Sequence, residues 1–115
     1  MELVIGGAYQ GKLSWAVKQY GLRDEDLCDL AENEIQPSKR CYYHLEAYTR
    51  RHACKTIPKE FQNAVLITRE VGCGVVPMDA REREWRERHG AFVQRLAAQS
   101  VRVTRIFCGI PEALK

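Results

Sequence analysis

The segment from Gly6 to Lys12 has the residue types and spacing of a phosphate-binding loop. Its sequence, GGAYQGK, fits the pattern G-x-x-x-x-G-K, and it follows an apolar run and precedes a helical pattern. Glycines let backbone N–H groups turn around an anion, the helix N-terminus favours negative charge, and the lysine can reach phosphate oxygens. The residues that we predict to bind phosphate are Gly6, Gly7, Ala8, Tyr9, Gln10, Gly11, Lys12, Leu13 and Ser14. A strand-to-helix turn with purely structural glycines is the alternative.

Position 13 departs from the usual phosphate loop. Ser or Thr normally stands there and coordinates Mg²⁺ through its hydroxyl, which Leu13 cannot do. Ser14 follows, but each helical residue turns its side chain by about 100° from the one before, so it would need a shifted register. Leu13 therefore speaks against metal-assisted phosphoryl transfer but not against nucleotide binding. Mg²⁺ stays open as a cofactor, and we assign no metal-binding residues.

Glu70 stands directly after a β-type run. Residues at the carboxyl ends of parallel strands face the ligand edge of a sheet, so this carboxylate could meet Mg²⁺ or a substrate hydroxyl. Capping of local backbone N–H groups is an equally weighted alternative.

A zinc site would need several of the cysteines and histidines in the middle of the chain. Cys41, His44, His52 and Cys54 are close in sequence. However, Cys41 and His52 already fit one apolar face of a helix, so we do not predict zinc there.

The charge balance argues against a nucleic-acid partner. The formal charge is +3 at pH 7, from 18 basic and 15 acidic residues. The arginines at 81, 83, 86 and 88 alternate with glutamates, which cancels most of their field, so they are typical of a solvated helix face.

Alternating strand and helix patterns must position these residues. The strand patterns cover Met1–Gly7, Leu27–Ala31, Ala64–Thr68 and Val101–Cys108. The helix patterns cover Lys12–Tyr20, Lys39–Ala53 with Glu46 and Arg50 as an i,i+4 pair, and a third helix that begins at a D-x-x-E capping pattern, Asp79 to Glu82.

This order predicts one P-loop nucleotide-binding domain over residues 1–115. We expect an α/β fold with a P-loop-type parallel sheet of about four strands and helices on both faces, in three layers. Ligands bind beyond the carboxyl ends of such strands, which places the glycine loop and Glu70 on one edge.

Composition indicates a folded protein of the cytoplasm. Five cysteines without a C-x-x-C pair favour reduced thiols over a disulfide framework. The apolar runs are far shorter than the roughly 20 residues that cross a bilayer, and the start lacks the basic region of a secretory signal. We therefore expect no membrane partner.

Three segments carry a resemblance to a known family. VIGGAYQGKLSWA is similar to a glycine-rich phosphate loop, LITREVGCGVVP is similar to an E-V-G-x-G-V-V-P signature, and GAFVQRLAAQSVRVTRIFCGIPEALK continues the pattern to a closing G-I-P with a terminal lysine. In this order they resemble the adenosylcobinamide kinase / adenosylcobinamide-phosphate guanylyltransferase family of cobalamin biosynthesis.

The resemblance implies two transferase activities: phosphorylation of the aminopropanol hydroxyl of adenosylcobinamide, and guanylyl transfer through a covalent histidine. It implies GTP or ATP and a corrinoid as small-molecule partners. Glu70, Gly72 and Gly74 match the second motif, and His44 is the nearest counterpart of the nucleotidylated histidine. The implied catalytic residues are therefore Lys12, His44 and Glu70.

The chain also departs from the family pattern. The family is longer between the second helix and the E-V-G motif, where it carries a further strand with an acidic residue, so this chain resembles a shortened member. Together with Leu13, this motivates an alternative: a catalytically reduced nucleotide- or corrinoid-binding sensor or accessory protein. A small α/β interaction module is a third, weaker hypothesis. Longer relatives form oligomers, so assembly of this chain into a homo-oligomer is a further hypothesis.

Overall fold

The computed structural model describes residues 1–71 and 79–115. Gly72, Cys73 and Gly74 of the second motif lie outside the described residues. Within the described ranges the chain forms six strands and three α-helices. The strands are β1 (Glu2–Gly6), β2 (Leu27–Asp29), β3 (Cys41–Tyr43), β4 (Val65–Arg69), β5 (Arg102–Phe107) and β6 (Ile110–Ala113); the helices are α1 (Lys12–Tyr20), α2 (Leu45–Arg51) and α3 (Ala80–Gln99).

The strands form one sheet in the order β2-β3-β4-β1-β5-β6. The pairs from β2 through to β5 are parallel, and β6 returns antiparallel to β5. In the centre, β1 and β4 are in register from Glu2 opposite Val65 to Gly6 opposite Arg69. The carboxyl ends of the parallel strands therefore meet at one edge of the sheet, where the β1–α1 loop begins.

Successive residues of the central strands face different helices. Leu3 packs in a buried cluster with Leu45 of α2 and Phe92 of α3. Its neighbour Val4 packs in a second cluster with Ala16 of α1. Because side chains alternate across a strand, one strand supplies both cores. The predicted three-layer α/β architecture with helices on both faces is confirmed.

Local capping signals explain where the first and third helices end or begin. Gly21 closes α1 with φ 60°, a left-handed conformation that glycine adopts without strain. Asp79 opens α3, and its carboxylate accepts a hydrogen bond from the backbone N–H of Arg81 at 2.8 Å. Glu82, predicted as its capping partner, instead accepts from the Arg50 guanidinium at 2.9 Å. None of the described helices is long and apolar enough to cross a membrane.

The predicted helix over Lys39–Ala53 is wrong in its first part. Cys41–Tyr43 forms β3, between β2 and β4, and α2 covers only Leu45–Arg51. The helical spacing of Cys41 and Leu45 is real, but both Cys41 and Tyr42 are fully buried within the sheet. Pairing on both sides and the β preference of the tyrosines outweigh the periodicity.

The sheet also has two more strands than the predicted four or so. One is β3 and the other is β6, because the sequence predicts no strand after Val101–Cys108. Pro111 cannot donate a backbone hydrogen bond, and it is tolerated because β6 is an edge strand. All residues of β6 are exposed.

Two leucine substitutions compare the core with the surface. Leu66 of β4 is 0% exposed, whereas Leu114 is 50% exposed. We expect Leu66→Ala to lower the free energy of unfolding by about 2 to 5 kcal/mol, through lost burial and a cavity. Leu114→Ala, the same chemical change, should lower it by less than about 1 kcal/mol. Urea denaturation of both variants checks this, and equal losses would contradict the assignment of the core.

Candidate functional site

A cavity of about 430 Å³ opens at the carboxyl edge of the sheet, beside the β1–α1 loop. Its lining comes from that loop, the start of α1, the ends of β3 and β4, and the start of α2. The lining residues are Ala8, Tyr9, Gln10, Gly11, Lys12, Leu13, Ser14, Tyr43, His44, Glu46, Ile67, Thr68 and Arg69. The structure thus brings most of the predicted phosphate-binding residues together with His44. Gly6 and Gly7 come just before these residues in the chain and are not among the described lining residues.

Two glycines of the loop are required by the backbone. A Cβ atom at Gly6 would lie 2.6 Å from the carbonyl oxygen of Ile106 in β5, closer than real side chains approach. Gly11, the residue before α1, has φ 85° and ψ 25° in the left-handed region. The chain can therefore leave β1 tightly and enter α1 with its first N–H groups at the cavity.

Gln10 ties the loop to the turn between β5 and β6. Its side-chain Oε1 accepts a hydrogen bond from the backbone N–H of Cys108 at 2.6 Å. Its backbone carbonyl accepts from the N–H of Gly109 at 2.9 Å. The turn therefore holds the loop in place, a role for Gln10 that the glycine pattern does not reveal.

Lys12 is directed back over its own loop. Its Nζ donates a hydrogen bond to the carbonyl oxygen of Gly7 at 2.7 Å. Burial is the main effect on the pKa of Lys12 and lowers it. The Glu46 carboxylate raises this pKa, Arg69 lowers it further, and Glu70 raises it. The amine thus stands among two carboxylates and a second cation at the cavity.

His44 turns the chain from β3 into α2. Its φ of 58° is left-handed, which is uncommon for a residue with a side chain. Its Nδ1 lies 2.6 Å from Oδ1 of Asp29, the last residue of β2. Because a carboxylate only accepts, Nδ1 donates its hydrogen to Asp29, and in the neutral tautomer with this hydrogen the lone pair lies on Nε2. No sequence motif singles out Asp29, which lies inside the predicted strand Leu27–Ala31 and ends the observed β2 at the ligand edge.

Glu46 is a second residue that sequence reasoning did not assign to the site. Its Oε1 accepts from the backbone N–H of Arg69 at 2.9 Å and from the Thr68 hydroxyl at 3.4 Å. The predicted pairing with Arg50 is wrong, since the Arg50 guanidinium stacks 3.6 Å from the Trp85 ring centroid and binds α3. Glu46 therefore holds the end of β4 against the start of α2.

A buried histidine lies beneath this end of β4. His89 of α3 is 1% exposed, with Nε2 3.1 Å from the Thr68 hydroxyl and Nδ1 2.8 Å from the Thr49 hydroxyl. The Trp85 indole N–H donates to the same Thr49 oxygen at 3.0 Å. Burial lowers the pKa of His89, with the nearby Glu46 acting against it. Both ring nitrogens thus have partners, as buried polar atoms require.

Glu70 lies beside the cavity rather than in its described lining. Its backbone N–H donates to the Gly6 carbonyl at 2.9 Å. Its carboxylate forms an ion pair with Nε of Arg105 at 3.1 Å. The structure therefore places Glu70 next to the glycine loop with a cation of β5 as its side-chain partner.

Few oxygen atoms of the described cavity lining suit a protein-held Mg²⁺; they include the Glu46 carboxylate and the Ser14 hydroxyl, one residue beyond the usual position. Leu13 replaces the usual hydroxyl, and its side chain packs against the cluster around Val4. Glu46 is the carboxylate among the described lining residues, and its Oε1 already accepts two hydrogen bonds. Mg²⁺ demands near-octahedral oxygen ligands. Over residues 1–71 and 79–115, no three His, Cys, Asp or Glu side chains are grouped to hold a metal.

A parallel sheet with a glycine-rich strand–loop–helix at its carboxyl edge defines an α/β protein of the P-loop type. The family model for cobinamide kinase / cobinamide phosphate guanyltransferase matches residues 31–114, so the chain belongs to this family. The match supports a function in cobalamin biosynthesis and confirms the resemblance seen in the sequence. It includes His44 and Glu70 and begins after Lys12. No curated protein matches the chain significantly.

The buried histidine makes stability sensitive to acid. The folded-state pKa of His89 lies below its ordinary value of 6.5, so the unfolded chain binds a proton that the folded chain does not. We expect the free energy of unfolding to fall as pH drops from about 7 to about 5.5, and His89→Gln to remove this slope. Urea denaturation at both pH values measures it.

His52→Gln is the matched control, because His52 is partly exposed and bound to a surface carboxylate. This variant should keep the wild-type slope. A slope that survives in His89→Gln would show that another group carries the acid sensitivity.

Proposed function

We propose that the chain binds GTP or ATP in the cavity and transfers a phosphoryl or guanylyl group to a cobinamide precursor. The observation that supports this best is that the glycine loop with Lys12 and the half-exposed His44 line one cavity. The family match supports the class of acceptor. We treat residues 1–115 as one nucleotide-binding domain, because a single sheet joins the loop to the matched region.

The phosphates would lie over the loop at the N-terminus of α1. Free N–H groups there and the positive end of the helix dipole favour an anion. Lys12 would exchange the Gly7 carbonyl, now 2.7 Å from its Nζ, for a phosphate oxygen. In this role it stabilises the charge on the transferred group. Glu70, through its ion pair with Arg105, would hold the outer side of the loop.

His44 would act as the nucleophile of guanylyl transfer. Its Nε2 lone pair attacks the α-phosphorus of GTP; a P–N bond forms, the α–β P–O bond breaks, and pyrophosphate leaves. A phosphate oxygen of cobinamide phosphate then attacks the same phosphorus, so a new P–O bond forms and the P–N bond breaks. Asp29 is the positioning residue, because it accepts from Nδ1 and stabilises the positive charge on the ring.

Lys12→Ala tests nucleotide binding. We expect the affinity for GTP and ATP to fall by about tenfold or more, because the cation among the phosphates is lost. Lys18→Ala removes an exposed lysine from the same helix and should bind as the wild type does. Calorimetric titration measures both. Failure of the wild-type chain to bind either nucleotide would overturn the proposed function.

His44→Gln tests covalent transfer. We expect GTP labelled at the α-phosphate to leave acid-labile label on the wild-type chain and none on this variant, since glutamine has no nucleophilic nitrogen. Asp29→Asn should label more slowly, because the orienting carboxylate is gone.

His52→Gln provides the control for this experiment. The Nε2 of His52 lies 2.7 Å from Oε1 of Glu34, so it is also a histidine paired with a carboxylate, but outside the cavity lining. This variant should label normally. Label that persists in His44→Gln would count against His44 as the nucleophile. A wild-type chain that binds nucleotide but takes up no label would also count against it. If that chain transfers no phosphoryl group either, the catalytically reduced alternative is favoured.

A further inference from the structure

A second cation stands at the cavity beside Lys12. Arg69 is the last residue of β4 and pairs in register with Gly6, where the glycine loop begins. Val65 and Ile67 of the same strand pack on the α1 side of the sheet. Since side chains alternate along a strand, Arg69 projects to that side too, and it lines the cavity with Lys12.

The backbone at Arg69 is held in place by a separate contact. Its N–H donates to Oε1 of Glu46 at 2.9 Å, which fixes the strand end to α2. The side chain itself is exposed and extends from this fixed point. Because the backbone at Arg69 is already fixed, mainly the side chain loses conformational freedom when the guanidinium binds an anion.

Arg69 lines the same cavity as Leu13, the residue at the position where a phosphate loop usually provides a metal-binding hydroxyl. Leu13 packs into the α1 core and provides no oxygen. An arginine stays charged and presents several N–H donors in a fork that fits two phosphate oxygens. Two cations close together at one cavity repel each other, and a polyphosphate between them relieves that repulsion.

We propose that Arg69 and Lys12 together neutralise the nucleotide phosphates in place of a protein-held Mg²⁺. This inference rests on the proposed function, because it needs a nucleotide in this cavity. It names Arg69 as a binding residue and states that nucleotide affinity does not require the divalent metal.

Titration of GTP into the full chain tests the inference, once with excess EDTA and once with excess Mg²⁺. We expect the two wild-type dissociation constants to agree within about threefold. Arg69→Gln should weaken binding in EDTA by about tenfold or more, and Arg69→Lys, which keeps the charge but not the fork, by less. Thermal unfolding followed by circular dichroism verifies that each variant is folded.

Arg102→Gln is the matched control. Arg102 is also an exposed arginine of the sheet, but it begins β5 at the opposite edge, where its Nε lies 3.7 Å from Glu2 Oε1. It should bind GTP as the wild type does.

The outcomes distinguish a failure of this inference from a failure of the proposed function. Wild-type binding in Mg²⁺ but not in EDTA would overturn the inference and leave the proposed function standing. Equal binding in EDTA by the wild type and a folded Arg69→Gln would also overturn it. No binding under either condition would overturn both. Wild-type binding in EDTA that Arg69→Gln loses and Arg102→Gln keeps would support it.

Discussion

The contact of β1 with β4 on one side and β5 on the other is the constraint on which the site depends. Gly6 ends β1 so close to β5 that a Cβ atom would lie 2.6 Å from the Ile106 carbonyl. The same register places Arg69 opposite Gly6, while β5 leads into the turn that binds Gln10. The pairing of β1 with its two neighbours thus positions the start of the loop, the turn that binds Gln10 and the Arg69 cation.

A network of hydrogen-bonded polar side chains connects the end of β4 to α2 and α3. Glu46 binds the backbone at the end of β4, and Thr68 of the same strand reaches both Glu46 and the buried His89. Thr49 connects His89 to α2. Leaving Thr49, Thr68 or His89, which are buried, without a partner would cost about 1 to 3 kcal/mol, so the network favours a single arrangement of α2, α3 and β4.

The family match and the glycine loop support the proposed function independently of each other. The matched residues, 31–114, begin beyond Lys12, so the loop rests on its own motif and geometry. The side chain at Leu13 packs against the core, and Arg69 adds a second cation to the cavity beside Lys12.

The sequence alone determined the features that depend on neighbouring residues. The bounds of α1 follow from the loop before it and Gly21 after it, and the cap of α3 follows from Asp79, because capping and periodicity act within a few residues. The family was also readable from its motifs. Only the tertiary structure decided that Cys41–Tyr43 is a strand, since burial between two neighbours overrides its helical spacing.

The two pairings that shape the site also came only from the tertiary structure. Asp29 with His44 and Glu46 with Arg69 are separated by 15 and 23 residues along the chain. Nothing in the local pattern links such residues. They meet because the parallel sheet brings the ends of β2, β3 and β4 to one edge, where the order of the strands, and not the spacing of residues, selects the partners.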